Sequence, residues 1–165
     1  MSKPGGYNKT NPYKIDEFEV AHAIKNSKTQ EIIRTVFNTG FYKSKTDRKI
    51  AIVLTQPLSE DGLCLESEKI NFYLKVKNIL EKKYEVFVKP HPRDESNYSQ
   101  EFQGNLIDKK IMMELIRFEK SIDLVVSINS TAAYNVPGSK CVHQFLPHQE
   151  FTSFYSIDLE SLYEL

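Results

Sequence analysis

Lys89-Pro90-His91-Pro92 is the segment of the sequence whose residue types most clearly suggest chemistry. The two prolines fix the backbone on either side of His91 and cannot continue a central strand, so the imidazole is held in one direction at a strand end. A histidine so placed can donate a hydrogen bond to a phosphate leaving group or act as a general acid near neutral pH. A structural loop histidine is the alternative interpretation of this segment.

Two further polar groups have residue types that fit the same chemistry. Glu60-Asp61-Gly62 offers a carboxylate as a general base, with a glycine that permits a tight turn, and an ordinary solvated turn is the alternative. Ser130-Thr131 offers two hydroxyls where a helix should begin, and free N–H groups with the positive end of a helix dipole favour a phosphate there. A plain N-cap is the alternative for this pair.

The hydrophobic pattern places each polar group directly after a predicted strand. Apolar runs of the kind found in strands buried on both faces predict strands at Ile50–Leu54, Tyr84–Val88 and Asp123–Ser127. Apolar residues at helical spacing predict helices at Ser67–Lys83 and Asp108–Phe118. We also expect a short strand at Leu106–Ile107, a helix from Ser130, a fourth strand at Lys140–Phe145 and a terminal helix at Leu159–Leu165.

This alternation of strands and helices predicts an α/β layered sandwich with a parallel sheet. In such a sheet, ligands bind in the crevice beyond the carboxyl ends of the strands, so the three polar groups should converge on one site. A flexible arm and helical lead-in are expected over residues 1–47, with helical spacing from Ile15 to Phe37. The domain itself is expected over residues 48–165.

Composition excludes several classes of protein. Lys+Arg and Asp+Glu number 22 each, so no overall field favours nucleic acid or an anionic membrane. No apolar run could cross a bilayer, and the first residues have no signal-peptide core. Cys64 and Cys141 match no metal or redox spacing, which favours a reducing, cytoplasmic compartment. Motifs for dinucleotides, nucleoside triphosphates, zinc and Asp-x-Asp-bound metals are absent from the sequence, so we expect no metal and no bound cofactor.

Three segments in order resemble the bacterial sialyltransferases of the GT-B fold. They are Leu54–Gly62, Val88–Asp94 and Val126–Ala132, which match an acidic-Asp-Gly motif, a His-Pro motif and a paired-hydroxyl motif. The closest resemblance is to glycosyltransferase family 52, the lipooligosaccharide sialyltransferases, and the polysialyltransferases share the same motif logic. Thr131 stands where the family pattern has a second serine. The resemblance covers roughly residues 48–160 and implies a Rossmann-like three-layer sandwich.

The resemblance implies inverting transfer of sialic acid from CMP-sialic acid to a galactose-type acceptor in bacterial surface-glycan synthesis, without a metal. Asp61 would be the general base, with Glu60 as the second choice, and burial would raise the pKa of that carboxyl. His91 would assist the departure of CMP. The residues that would bind the nucleotide are Ser130 and Thr131 at the phosphate, Lys89 and Pro92 beside the cytosine, and Glu114 at the ribose hydroxyls.

A GT-B enzyme has two such domains, and this sequence matches only the nucleotide-binding C-terminal half. The expected partners are therefore the donor, a glycan acceptor, and a missing N-terminal domain or a second copy of the chain. Family members act on lipid-linked or surface glycans, so a peripheral place at the inner membrane is a second expectation for localisation. Two alternatives stay open: a GT-B-like enzyme for another nucleotide-sugar, and a non-catalytic α/β binding domain. Against a receiver-type domain, the third strand ends in Ser127 and not in an aspartate.

Overall fold

Four parallel strands form one sheet: β1 (Lys49–Leu54), β2 (Tyr84–Lys89), β3 (Ile122–Ser127) and β4 (Cys141–Gln144). Their order across the sheet is β2-β1-β3-β4. The structure is a computed structural model that describes residues 28, 31–32, 35–36, 42–136, 138–146, 154 and 157–165. It confirms an α/β, Rossmann-like fold and all four predicted strands.

The central strands are apolar on both sides because each side of the sheet has its own core. Alternate residues of β1 and β2 enter different hydrophobic clusters, with Ala51 and Val53 in one cluster and Ile50 and Ile52 in the other. Every residue of β2 is buried, Glu85 included. This burial on both faces explains why the strand sequences are continuous apolar runs and do not alternate between apolar and polar residues.

The crossover from β1 to β2 is α1 (Glu66–Leu80), which confirms the helix predicted there. The Glu68 carboxylate accepts the N–H of Leu65 at 2.8 Å and so satisfies a free donor at the start of the helix. One face of the helix packs into the core, and its buried residues are Lys69, Phe72, Tyr73, Val76 and Leu80. No described helix is long and apolar enough to cross a bilayer.

The helix predicted at Asp108–Phe118 is wrong, because the chain there makes only a single 3-10 turn at Met113–Leu115. Tyr42 explains the difference. Its N–H donates to the carbonyl of Arg117 at 3.0 Å, and its carbonyl accepts the N–H of Glu119 at 3.3 Å. These bonds form a parallel bridge between Tyr42 and Phe118, which requires extended backbone where a helix would have continued.

The helix predicted from Ser130 forms, but as a short 3-10 helix, Thr131–Asn135. Val136 ends it in an extended conformation, with φ −71° and ψ 115°. The sequence places a proline at position 137, and a residue before proline is disfavoured in the α conformation. The terminal helix predicted at Leu159–Leu165 is likewise a 3-10 helix, Glu160–Glu164. The short strand expected at Leu106–Ile107 is a single parallel bridge between Leu106 and Val88.

Residues 42–46 pack against the sheet. The Tyr42 ring contacts Phe87 and Phe118, with ring centroids 6.4 Å and 5.5 Å apart. The predicted arm at residues 1–14 lies outside the described residues, as does most of the predicted helix before residue 37. The described positions 28, 31–32 and 35–36 are helical. The domain boundary at residue 47 stays a prediction.

Candidate functional site

A cleft of about 320 Å³ lies beyond the carboxyl ends of β1, β2 and β3. In this sheet β2 and β3 lie on opposite sides of β1, so the direction of the strand order reverses at β1. The cleft lies at this reversal, which is the usual place for a ligand in a parallel sheet. Five of the predicted site residues line it together, namely Lys89, His91, Pro92, Ser130 and Thr131. Ile111, Met112 and Met113 give the cleft an apolar wall.

The His91 imidazole has a defined orientation and tautomer. Its Nδ1 accepts the backbone N–H of Arg93 at 3.1 Å, so a neutral ring must carry its proton on Nε2. Burial lowers the pKa of His91 below 6.5, and the positive charges of Arg93 and Lys89 lower it further. In the free protein His91 is therefore a neutral hydrogen-bond donor at neutral pH, and a bound anion would raise its pKa.

Lys89 places a buried cation in the wall of the cleft. The residue is 4% exposed, and its Nζ donates to the carbonyls of Pro90 and Lys109, each at 2.9 Å. Burial lowers the pKa of Lys89 to about 8, against the opposing attraction of Asp108. A buried ammonium whose charge is this costly suits an anionic ligand.

Ser130 and Thr131 also line the first cleft. The helix that follows is a 3-10 helix of five residues, so its dipole is small and the two hydroxyls are the main groups that could bind a phosphate. The Ser130 side chain makes no capping bond to that helix, so its hydroxyl is not used as an N-cap. The Ser130 carbonyl accepts Nε2 of Gln144 at 2.7 Å, which fixes this loop to β4.

A second cleft, of about 260 Å³, meets the first at His91. Asp61 and Arg93 line it, and the Arg93 guanidinium donates to both carboxylate oxygens of Asp61 at 3.0 and 3.1 Å. The Asp61 side chain is 39% exposed, so the expectation of a buried base is wrong for this residue. Asp61 and His91 nevertheless line one cleft, as expected from a parallel sheet whose strand ends share one edge.

Glu60 forms an ion pair with the buried Lys69. Its two carboxylate oxygens accept from Lys69 Nζ at 2.9 and 2.7 Å, and Oε1 also accepts the N–H of Glu95 at 2.9 Å. Burial alone would raise the pKa of Glu60, but the hydrogen bonds from Lys69, Glu95 and its own backbone lower it to about 2. A raised pKa was expected for the base, so that expectation is wrong for Glu60, which lines neither cleft.

Lys69 and Asp94 were missed by the sequence reasoning. Both are buried, at 0% and 1% exposure, and their side chains are paired at 2.9 Å beneath the loops that carry Glu60 and His91. The signal for Lys69 was its position, since it falls on the buried stripe of α1 with Tyr73 and Val76. Asp94 gave no such signal, because it sits in a polar segment predicted to be a loop.

Two further residues lie close in sequence to residues of the first cleft, namely Glu114, which was predicted at the ribose hydroxyls, and Ser127, which ends β3. Glu114 lies in the 3-10 turn Met113–Leu115, next to Met113 of the cleft wall. Ser127 ends β3 with its hydroxyl buried and without a hydrogen-bond partner among the described residues. Within the described ranges, no group of three or more His, Cys, Asp or Glu residues could hold a metal ion.

Comparison with known proteins gives one family and one relative. A model of the family described as alpha-2,8-polysialyltransferase (POLYST) matches residues 4–138, a range that includes all three polar groups. A Haemophilus influenzae protein described as uncharacterized is 37% identical over 93 residues. That stretch covers 54% of this chain and 29% of the relative's length. No solved structure matches the chain.

Proposed function

The chain belongs to the alpha-2,8-polysialyltransferase family, and on that premise we propose that it provides the CMP-binding site of a sialyltransferase that uses CMP-sialic acid as donor. One observation carries the proposal. The cleft beyond β1, β2 and β3 brings an oriented imidazole, a buried ammonium and two hydroxyls together around a space of about 320 Å³. Donors and a cation converging on one cleft suit a phosphate, which is the anionic part of CMP.

We place the phosphate of CMP between His91 and the hydroxyls of Ser130 and Thr131. The cytosine lies against Lys89 and Pro92, and the ribose faces the turn that carries Glu114. The ammonium of Lys89 adds a positive charge to the wall of the same cleft, which favours an anionic nucleotide over a neutral nucleoside.

For the transfer step, we place the acceptor in the second cleft, where Asp61 lies. The acceptor hydroxyl attacks the anomeric carbon of the sialic acid and passes its proton to the Asp61 carboxylate. The bond from that carbon to the phosphate oxygen breaks, and CMP leaves with the bonding electrons, stabilised by the Nε2–H of His91. The configuration inverts, and no covalent nucleophile or metal is needed.

The support for Asp61 over Glu60 as the base is geometric. Asp61 shares a cleft with His91, and its carboxylate is paired with the exposed guanidinium of Arg93, whereas both oxygens of Glu60 accept from buried Lys69. An acceptor that displaces Arg93 from Asp61 would free the base when the substrate is in place.

The whole enzyme is also part of the proposal. We propose that this domain is one half of a GT-B enzyme, with a likeness to glycosyltransferase family 52, and that a second domain or a second copy completes the acceptor site. Two acceptor classes follow: the galactose-type acceptor that the motifs suggest, and a sialic-acid acceptor that the family's description suggests. Offering both acceptors to the chain with CMP-sialic acid separates them.

The test is the thermal stability of the full chain with CMP, UMP or ADP. We expect CMP to raise the melting temperature most, and His91→Ala to remove most of that rise while leaving the unliganded protein folded. His143→Ala, on β4 and outside both clefts, is the matched control and should keep the response. A stronger response to UMP or ADP would favour a different nucleotide-sugar. No response to any of the three would favour a non-catalytic domain.

If the chain transfers sialic acid, His91→Ala should abolish transfer. Full transfer by that variant would refute the role given to His91, whatever the nucleotide specificity.

A further inference from the structure

The ammonium of Lys69 connects the loop that follows β1 with the loop that follows β2. Lys69 is fully buried on the core face of α1, and its Nζ contacts both oxygens of Glu60 and Oδ1 of Asp94, at 2.7 to 2.9 Å. These are three acceptors for the three N–H bonds of an ammonium. One acceptor group follows β1 and the other follows β2, so a single cation joins the two loops.

The carboxylate of Asp94 is equally saturated. Oδ1 accepts from Lys69 and from the N–H of Ser96 at 3.1 Å, and Oδ2 accepts from the hydroxyls of Thr55 and Tyr98. Four donors fill the four acceptor positions of a carboxylate. Thr55 follows β1 directly and lines the first cleft, so the network reaches the wall of that cleft.

The backbone of Asp94 sets the turn that orients His91. The N–H of Asp94 donates to the carbonyl of His91 at 2.9 Å, which closes the turn 91–94. Inside that turn, the N–H of Arg93 donates to Nδ1 of His91. The ring orientation and the position of its proton therefore depend on a turn whose last residue is anchored by Lys69.

We propose that Lys69 and Asp94 are positioning residues that hold His91 as the Nε2–H tautomer facing the nucleotide cleft. The same ammonium holds Glu60 and so places its neighbour Asp61 at the second cleft. The consequence for nucleotide binding and transfer rests on the proposed function, whereas the effect on the imidazole does not.

A purely stabilising role explains the pair less well. A buried ion pair pays desolvation for both charges, and well-packed apolar residues often serve stability as well or better. Here the pair lies under two loops that carry the predicted catalytic groups, and every donor and acceptor of the two side chains is used. Such a saturated network fixes geometry more tightly than apolar packing would.

The experiment compares stability with the state of the His91 ring. The variants are Lys69→Met, Asp94→Asn and their combination, with Lys75→Met on the exposed face of α1 as the control. Lys69→Met leaves the buried Asp94 carboxylate without its cation and should lower the melting temperature by about 10 °C. Asp94→Asn leaves the Lys69 ammonium paired with Glu60 and should lower the melting temperature by less. The combined variant should regain at least half of the loss caused by Lys69→Met.

The deciding measurement is the ¹⁵N spectrum of the histidine side chains above their pKa, which distinguishes the two tautomers. His91 is assigned from its loss in His91→Gln. The wild type and Lys75→Met should show His91 as the Nε2–H form. In the combined variant, despite its recovered stability, His91 should become a mixture of both tautomers, and affinity for CMP should fall about tenfold or more.

A less disruptive variant provides the test if the charge variants do not fold. Tyr98→Phe removes a single donor to Asp94 from a residue that lines neither cleft, and it should give a smaller fraction of the Nδ1–H tautomer. If His91 stays fully Nε2–H in Tyr98→Phe and in whichever charge variants fold, the positioning role is wrong. If the tautomer changes in these variants but the wild type does not bind CMP, the positioning role stands and the proposed function is contradicted.

Discussion

Replacing Lys89 by methionine should change how the stability of the protein depends on pH. Lys89 is 4% exposed, and burial, opposed by Asp108, lowers its pKa from 10.5 to about 8. At about 1.4 kcal/mol per pKa unit, this difference corresponds to roughly 3 kcal/mol. Below about pH 8 the native protein must therefore carry a buried charge that the unfolded chain carries in water.

The sign follows from proton linkage. Because the native pKa lies below the unfolded one, the native state releases the proton first as pH rises, and stability increases between about pH 8 and pH 10.5. The wild type should thus gain roughly 3 kcal/mol of unfolding free energy relative to Lys89→Met across that interval. The two carbonyls that lose their donor in the variant shift its stability equally at each pH and leave this difference in slope unchanged.

Urea unfolding of both proteins at several pH values between 7 and 10 measures the difference, and titrations shared by the two proteins cancel. The variant should also bind CMP more weakly at pH 7, although it has lost a costly charge. Such a trade between stability and binding is typical of functional sites. A flat difference, or one in which the wild type loses stability relative to the variant as pH rises, would refute the reasoning.

Three other changes have defined outcomes. Glu85→Gln should cost about 1–3 kcal/mol of unfolding free energy, because Glu85 accepts from four donors of residues 44–46. Burial raises the pKa of Glu85, but those hydrogen bonds outweigh it and lower the pKa below 4.5. Urea unfolding should therefore show the full stability difference between wild type and variant above pH 4.5, and the difference should disappear as pH falls further. Gly62→Ala should cost about 1–2 kcal/mol of unfolding free energy in the same assay, because a φ of +71° is unfavourable for a residue with a Cβ. Among the described residues no atom lies within 4 Å of the added Cβ, so no clash adds to that cost. Replacing Ser130 and Thr131 by alanine should weaken CMP binding by about 1–3 kcal/mol in calorimetry, and unchanged affinity would remove these hydroxyls from the phosphate site.

The sheet could be predicted because two-sided burial leaves a clear pattern. β1 and β2 lie between two cores, so nearly all of their residues are apolar, and the prolines after Lys89 mark the end of β2. Parallel pairing then brings the three polar groups to one edge, which is why five predicted site residues line one cleft.

The secondary structure of the second half of the chain was harder to predict, because tertiary contacts override the local spacing of apolar residues. Apolar residues between Asp108 and Phe118 recur at helical intervals, yet pairing with Tyr42, far away in sequence, holds the end of that segment extended. After Ser130 the helix is short and of the 3-10 type, because the proline at position 137 leaves fewer than two α-helical turns between the two residues.

The buried hydrogen-bond network around Lys69 and Asp94 was harder still to predict, because its members are polar. Asp94 and Tyr98 lie in a segment whose composition is typical of a solvated loop, yet both are buried at 1% exposure, and the Asp94 carboxylate accepts hydrogen bonds from Tyr98 and Lys69. Hydropathy cannot distinguish a paired buried charge from an exposed one. The two aromatic residues Tyr98 and Phe102, four positions apart and packed edge to face, were the available hint.

The most direct test of the central claim is a titration of protein with ¹⁵N-labelled histidine side chains, with and without CMP. His91 should titrate below pH 6.5 in the free protein. CMP should raise the pKa of His91 and shift its Nε2 signal, and the signals of His143 should stay in place. A CMP complex that leaves both the pKa and the Nε2 signal of His91 unchanged would contradict a nucleotide site beyond β1, β2 and β3.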